Sequence, residues 1–368
     1  MPLTPAVALV MAMTCVSAAF ADSEISAKRL KDLERVQQET DYGFRNGSFI
    51  VAPIPFSNPA IGSGLALGAG YLFKTDPSAD TSVIGIGAMQ SSNGSQAHGL
   101  MLNLALPENR WTFDTTLAKA DVRYDFITGT QNIPLRQEGN LAQFGLSYGL
   151  THDVSLGGTM RYLDTTIGLD VGGSLLPPEV LPDLGLELFS LGAVLEWDTR
   201  DNSDYPTKGF RLSVDANHGQ TLSGPSRNYA YGKALFDTYH SFSDSSVFAT
   251  RFSTCAADSN TPFFEQCSIG FTDGFRGFSP TQFLDTRLIS AQVELRQRLG
   301  KRLGVVAFGG MGWTSDSFGS LDEAGTQAAV GFGLRYRVSQ KFPVDFSIDV
   351  SHNDLDEDFL YIFVGQNF

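Results

Sequence analysis

The stretch Gln327-Ala328-Ala329-Val330-Gly331-Phe332-Gly333-Leu334-Arg335-Tyr336-Arg337-Val338 decides the fold. Ala328, Val330, Phe332, Leu334, Tyr336 and Val338 share one face, and Gln327, Ala329, Gly331, Gly333, Arg335 and Arg337 share the other. A period of two is strand geometry, because successive side chains leave a strand on opposite sides. The division recurs at 289–298, where Ile289, Ala291, Val293 and Leu295 oppose Ser290, Gln292, Glu294, Arg296 and Arg298. It recurs at 189–200, where Phe189, Leu191, Ala193, Leu195 and Trp197 oppose Ser190, Gly192, Glu196, Asp198 and Arg200. One apolar and one charged face suits a strand between lipid and a wet lumen. A soluble sandwich also alternates, but its apolar face needs a second sheet.

Turn residues punctuate the rest at unequal intervals. Short breaks fall at Pro107-Glu108-Asn109, Thr151-His152-Asp153, Ser243-Asp244-Ser245, Gly300-Lys301-Arg302 and Gln340-Lys341-Phe342-Pro343, and longer ones near 128–136, 172–184, 221–227, 259–284 and 315–324. Short turns at one end and long loops at the other are the habit of outer-membrane barrels. Strands laid between the breaks begin 49–56, 64–74, 82–92, 96–106, 110–126, 138–150, 154–170 and 186–200. They continue 209–221, 227–242, 246–256, 286–299, 303–314, 326–339, 344–353 and 359–368. The reading is all-β: a 16-stranded antiparallel transmembrane barrel over 49–368, an even number as bacterial barrels require.

Composition agrees. The chain has 368 residues, with Gly 38 and Phe 28 both abundant, which suits barrel bends and aromatic girdles. A mean hydropathy of -0.06 is what alternating faces average to. The net charge of -14 argues against a nucleic-acid partner, which needs a basic surface.

Residues 1–21 read as a signal peptide: an apolar run from Ala6 to Phe20 ends in Ala19-Phe20-Ala21, a small-x-small cleavage pattern, although the run carries no Lys or Arg. Thr14 before Cys15 is a poor lipobox residue. Residues 22–48, with Leu30, Leu33 and Val36 at near-helical spacing, suggest a short periplasmic helix or tether, or a disordered linker. Export leaves Cys255 and Cys267; an even count in an oxidising compartment favours a disulfide, against two unrelated free thiols.

No enzyme is expected. His98, His152, His218, His240 and His352 show no metal-ligand spacing, no G-x-S-x-G elbow exists, and His352-Asn353-Asp354 has no defined serine partner. No cofactor or metal is implied.

Three stretches resemble the BamA/TamA-type outer-membrane assembly family, the bacterial surface antigens. Asp198-Thr199-Arg200-Asp201-Asn202 with Tyr205-Pro206-Thr207-Lys208-Gly209 is similar to its D-x-R-D-N…P-x-x-G strand–turn–strand signature. Phe275-Arg276-Gly277-Phe278 is similar to its (V/F)RG(F/Y) loop motif, and Val293-Glu294-Leu295-Arg296 to the strand whose Glu accepts from that loop Arg. The resemblance implies that the loop folds into the lumen with Arg276 on inward carboxylates, Glu294 first and Asp198 and Asp201 as further neighbours. Gly310, in Phe308-Gly309-Gly310, stands where the family has an Asp, so Arg276 is expected to lose one partner while the loop tip gains room. The final strand, with Leu360, Ile362, Val364 and Phe368 on one face, resembles the family's assembly signal, from which Gln366 departs.

Residues 22–48 cannot hold a POTRA domain, so the resemblance is to a barrel-only member. It implies aid to insertion or translocation of proteins or lipids at the outer membrane, through a weak seam between the first strand, which Asn58-Pro59 cuts short, and the last. The alternatives are a diffusion channel for small solutes and a self-associating structural barrel. Expected partners are outer-membrane lipid, the barrel assembly machinery during biogenesis, and a periplasmic protein or second copy.

Overall fold

The computed structural model describes residues 43–44, 47–128, 131–170, 184–203, 205–321, 325–337 and 345–368. The expected leader, nearly all of the expected tether and the 340–343 break lie outside them. The first strands are β1 (Ser48–Asn58), β2 (Gly62–Lys74), β3 (Thr81–Ser91), β4 (Gln96–Ala105), β5 (Trp111–Thr128) and β6 (Gln131–Gly149). Next come β7 (Val154–Leu169), β8 (Leu184–Asp198), β9 (Lys208–Ser223), β10 (Asn228–Ser243) and β11 (Ser246–Ala257). Two-residue strands β12 (Cys267–Ser268) and β13 (Leu284–Asp285) pair with each other inside the long loop that follows. The wall resumes with β14 (Arg287–Arg298), β15 (Leu303–Ser315), β16 (Gln327–Arg337), β17 (Asp345–Asn353) and β18 (Asp358–Val364). Sixteen strands close in the order β1-β18-β17-β16-β15-β14-β11-β10-β9-β8-β7-β6-β5-β4-β3-β2, every neighbour antiparallel. Closure removes the unpaired edges that a membrane interior penalises.

Alternation sorts the side chains. Ile86, Leu100, Val293, Leu295, Val330, Phe332 and Leu334 are exposed on the outside, while Ser290, Gln292, Glu294, Arg296 and Arg335 are buried inside. Around the short-turn end Trp111 packs on Tyr148 at 4.8 Å, Trp197 on Phe210 at 4.9 Å, and Phe210 on Phe236 at 5.8 Å, an aromatic girdle.

Three expectations are corrected. The break near 128–136 is a tight hairpin: β5 and β6 pair through Asp125↔Pro134 to Thr128↔Gln131. Pro134 fits because it lies at the very end of the β6–β7 ladder, just past Leu135↔Leu169: its carbonyl still accepts from the Asp170 N–H at 2.9 Å, and its missing N–H forgoes only the terminal bond. Asn58-Pro59 does not shorten β1; Asn58 ends the strand and its Oδ1 accepts from the N–H groups of Ala60 and Ile61, both at 3.0 Å. Phe368 does not continue the outward row of β18. The strand stops at Val364, Gly365 takes φ 99°, and Gln366 and Phe368 are buried.

The lumen is not uniformly wet either. Its long-loop half holds a packed apolar core, in which Phe264, Ile269, Phe275 and Phe278 of the loop meet wall residues such as Phe56, Met89, Leu163, Leu188 and Tyr229. Inward positions that alternation alone leaves to water are apolar here because the loop covers them.

Candidate functional site

The loop between β11 and β14 turns inward and is fixed at four places. At its root Cys255 and Cys267 are bonded with Cα atoms 5.7 Å apart, tying the loop to the end of β11. Glu265, in the short turn Phe263–Glu265, forms a fully buried ion pair with Arg161 of β7. Thr281 donates to the Asp125 carbonyl of β5, and Gln282 Nε2 to Glu357 at 3.0 Å.

The fourth anchor is the loop tip. Arg276 is buried; its Nη2 donates to Glu294 Oε2 and its Nη1 to Asp349 of β17. Its guanidinium lies 3.5 Å from the Phe308 ring centroid. Glu294 also accepts from Arg296 Nε at 2.7 Å, and Asp349 from Arg335 Nη2 at 3.1 Å, so two carboxylates lie among three guanidiniums. Such charge-assisted bonds offset the desolvation of buried ions only when every partner is present. Gly277 donates to Tyr361 Oη at 2.8 Å, and its carbonyl accepts from Asn353 Nδ2 at 2.9 Å. With φ 136° and a Cβ that would fall 2.4 Å from Ala329 Cβ, position 277 needs glycine. Phe275 packs over Gly310, where a Cβ would come within 2.8 Å of its ring, and Phe278 stacks edge-on to Phe283 at 5.3 Å.

The second carboxylate therefore comes from β17, not β15. Asp198 and Asp201 are not partners of Arg276. Asp198 holds Arg200, Nε at 2.9 Å and Nη2 at 2.8 Å, and Asp201 Oδ1 accepts from the N–H groups of Thr207 at 2.8 Å and Lys208 at 3.1 Å. These bonds fold the 199–207 turn, with Pro206 buried and Gly209 at φ 94°, 2.4 Å from the Thr199 carbonyl for any Cβ. The turn places Tyr205 beside three guanidiniums of the opposing wall: Arg298 at 4.2 Å, Arg337 at 5.5 Å and Arg296 at 5.8 Å. Gln366 links Asp345 at 2.7 Å to Arg335 Nε at 3.1 Å, which accounts for an amide in place of an apolar residue. Phe368 lies under Arg251, 4.9 Å away, and its carbonyl accepts from Arg296.

The wall is not equally strong all round. β17 and β18 pair from Phe346↔Val364 to His352↔Asp358, and β1 and β2 from Ser48↔Leu72 to Asn58↔Gly62. Between β1 and β18 the register is recorded at one position, Ser57↔Ile362. By that register β18 ends level with Pro55, so Ser48–Ile54 pass beyond it, while Asp358–Leu360 rise above the end of β1. Proline adds a chemical block. The β1–β2 ladder is unbroken through Pro53↔Leu67 and Pro55↔Leu65, and successive residues bond to alternate edges. Both proline nitrogens must therefore point to the β18 edge, where they donate nothing.

The closed sixteen-stranded barrel matches a known architecture. The Omp85 superfamily domain matches residues 88–368. The chain belongs to the Omp85 superfamily. Among solved structures, BamA from Haemophilus ducreyi lacking POTRA domains 1–3 is similar with a TM-score of 0.59 and 13% identity, over 94% of this chain and 78% of that one. CdiB from Acinetobacter baumannii is similar with a TM-score of 0.56 and 11% identity, over 86% of this chain but only 58% of that one. CdiB from Escherichia coli gives 0.55 and 17%, over 90% and 68%. No curated protein matches in sequence. At these identities the likeness is one of fold, and relatives of this fold are outer-membrane barrels.

Proposed function

We propose that this Omp85 barrel is integral to the outer membrane and aids insertion or translocation of proteins or lipids there, acting at the seam between β1 and β18. The single recorded pair Ser57↔Ile362 carries the reading. In hydrocarbon each unsatisfied backbone group costs several kcal/mol. The free lower edge of β1 and free upper edge of β18 are therefore the places where the wall opens most readily and the adjacent bilayer is most disturbed. The four anchors of the lumen loop keep the rest of the barrel rigid while the seam moves. The loop they hold packs the long-loop half of the lumen, which speaks against a diffusion channel.

The test uses vesicles containing the full chain and an unfolded eight-stranded outer-membrane barrel as probe client. Insertion of the probe should be faster than into empty vesicles. A Ser57→Cys/Ile362→Cys variant, oxidised across the seam, should lose that acceleration and regain it with reductant, whereas wild type with reductant serves as control. Absence of acceleration by the wild type, or full activity of the crosslinked form, contradicts the proposal.

A further inference from the structure

On the outer face of β3–β6 a polar row crosses the lipid-facing surface. The register runs Ala88↔His98, His98↔Lys119 and Lys119↔Asn140, so three polar side chains sit side by side on neighbouring strands. Short of this row, toward the aromatic girdle, the outward residues are apolar: Ile86, Leu100 and Leu117 are all exposed. Past it they are Gln90, Gln96, Asp121 and Glu138. Trp111 of the girdle is eight positions below Lys119 on β5. At about 3.4 Å per residue and a tilt of about 40° that is roughly 20 Å of depth, close to a full apolar band. The row thus marks the headgroup boundary on the long-loop side.

The arginines past the row are already engaged by carboxylates. Arg136 holds Asp121 through Nε and Nη2, both at 2.8 Å, and also pairs with Glu138, while Arg123 lies 3.5 Å from Asp170. Lys119 and His98 take part in no ion pair or hydrogen bond with any described residue. The nearest same-face carboxylate along β5, Asp121, is occupied by Arg136, and Asn140 separates Lys119 from Asp164, to which it donates at 3.5 Å. An open groove of about 740 Å³ runs along the row and below it, opened where the small Ala69 and Ala88 stand among Leu67, Ile86 and Leu100.

We propose that this surface is a binding site for one phosphate-bearing lipid. Its phosphate is held by the Lys119 ammonium and the His98 and Asn140 N–H groups, and an acyl chain lies in the groove. A cation left without a counter-charge at the membrane boundary attracts an anionic headgroup, and the missing side-chain volume below accepts the tail attached to it. The inference rests on the outer face being embedded in lipid and is independent of the seam.

Native mass spectrometry of the folded chain in detergent, with added bisphosphoryl lipid A, tests it. The wild type should retain one copy in preference to the dephosphorylated analogue. Lys119→Gln should weaken retention about fivefold, the effect expected of one basic residue at a membrane surface. Ala69→Leu/Ala88→Leu, which fills the groove and leaves every charge, should weaken it as well, and Lys301→Gln in a turn at the other end should not. Equal retention by Lys119→Gln, or equal binding of the dephosphorylated analogue, overturns the proposal. Displacement by millimolar inorganic phosphate also overturns it, since the site would then be a free-anion site. The heat-modified gel mobility of the same samples reports separately whether the barrel itself is folded.

Discussion

Arg276 of the lumen loop donates to Asp349 of β17, seventy-three residues along the chain, as well as to Glu294 of β14. One guanidinium thereby ties the loop tip to both flanks of a four-strand section of wall. Removing it strands two carboxylates, although each keeps a second arginine, Arg296 on Glu294 and Arg335 on Asp349. Arg276→Ala should therefore lower the stability of the folded barrel by about 3 kcal/mol, the low end for breaking a buried pair. Glu294→Gln and Asp349→Asn should each cost less. Urea unfolding in vesicles measures this, and Arg276→Ala combined with Asp349→Asn should be less harmful than the two singles added. Full additivity contradicts the pairing.

Gly277→Ala tests the backbone rather than the charge. The new methyl meets Ala329 Cβ at 2.4 Å in a left-handed conformation. A cost of about 1–3 kcal/mol is expected, with a lower heat-modifiable fraction on gels. Ala329→Gly in the same chain should recover only the steric part.

Cys255 and Cys267 should resist alkylation until reductant is added, because they are bonded to each other. Cys255→Ser/Cys267→Ser should free the root of the loop, by about 3 kcal/mol in the unfolded-state entropy account. Faster protease cleavage within 258–286 in the double variant, with the barrel still folded, is the expected outcome.

The 199–207 turn carries a pH dependence. Partial burial raises the Asp201 pKa, but the Thr207 hydroxyl and the N–H groups of Thr207 and Lys208 outweigh it and hold the carboxyl below its ordinary value. A depressed carboxylate stabilises the turn at pH above its unfolded-state value, near about pH 4, and loses this as pH falls through the folded value. Protection of the Thr207 and Lys208 amides, measured against their intrinsic exchange rates, should therefore fall below that range, and Asp201→Asn should remove this pH-dependent component.

Much of the fold was legible because the split between lipid and lumen imposes a period of two on every strand, as at 327–338 and 289–298. All sixteen wall strands follow from it, with errors where Pro134 and Asn58-Pro59 looked like breaks and are edge features instead, and at the last strand, which stops at Val364 rather than Phe368. The loop tip was legible through its short motif. Its second carboxylate was not, because barrel curvature, and no local spacing, brings Asp349 to Arg276. The inward run Asp345, Ser347, Asp349, Ser351, Asn353 was the available signal. Arg161 and Glu265 lie 104 residues apart and left no trace in the sequence. The seam prolines were in view, yet their effect depends on which edge their nitrogens face, which only the β1–β2 register reveals.

Backbone amide exchange along β1, in the folded protein, tests the weak seam most directly. Ile50, Ala52 and Ile54 bond toward β2, whereas Phe49 and Val51 face the edge beyond the end of β18. An alternating pattern is expected, in which Phe49 and Val51 exchange on the order of 100-fold faster than Ile50 and Ala52. Uniform protection along the strand would show that β1 is paired on both edges and that the barrel has no weak seam there.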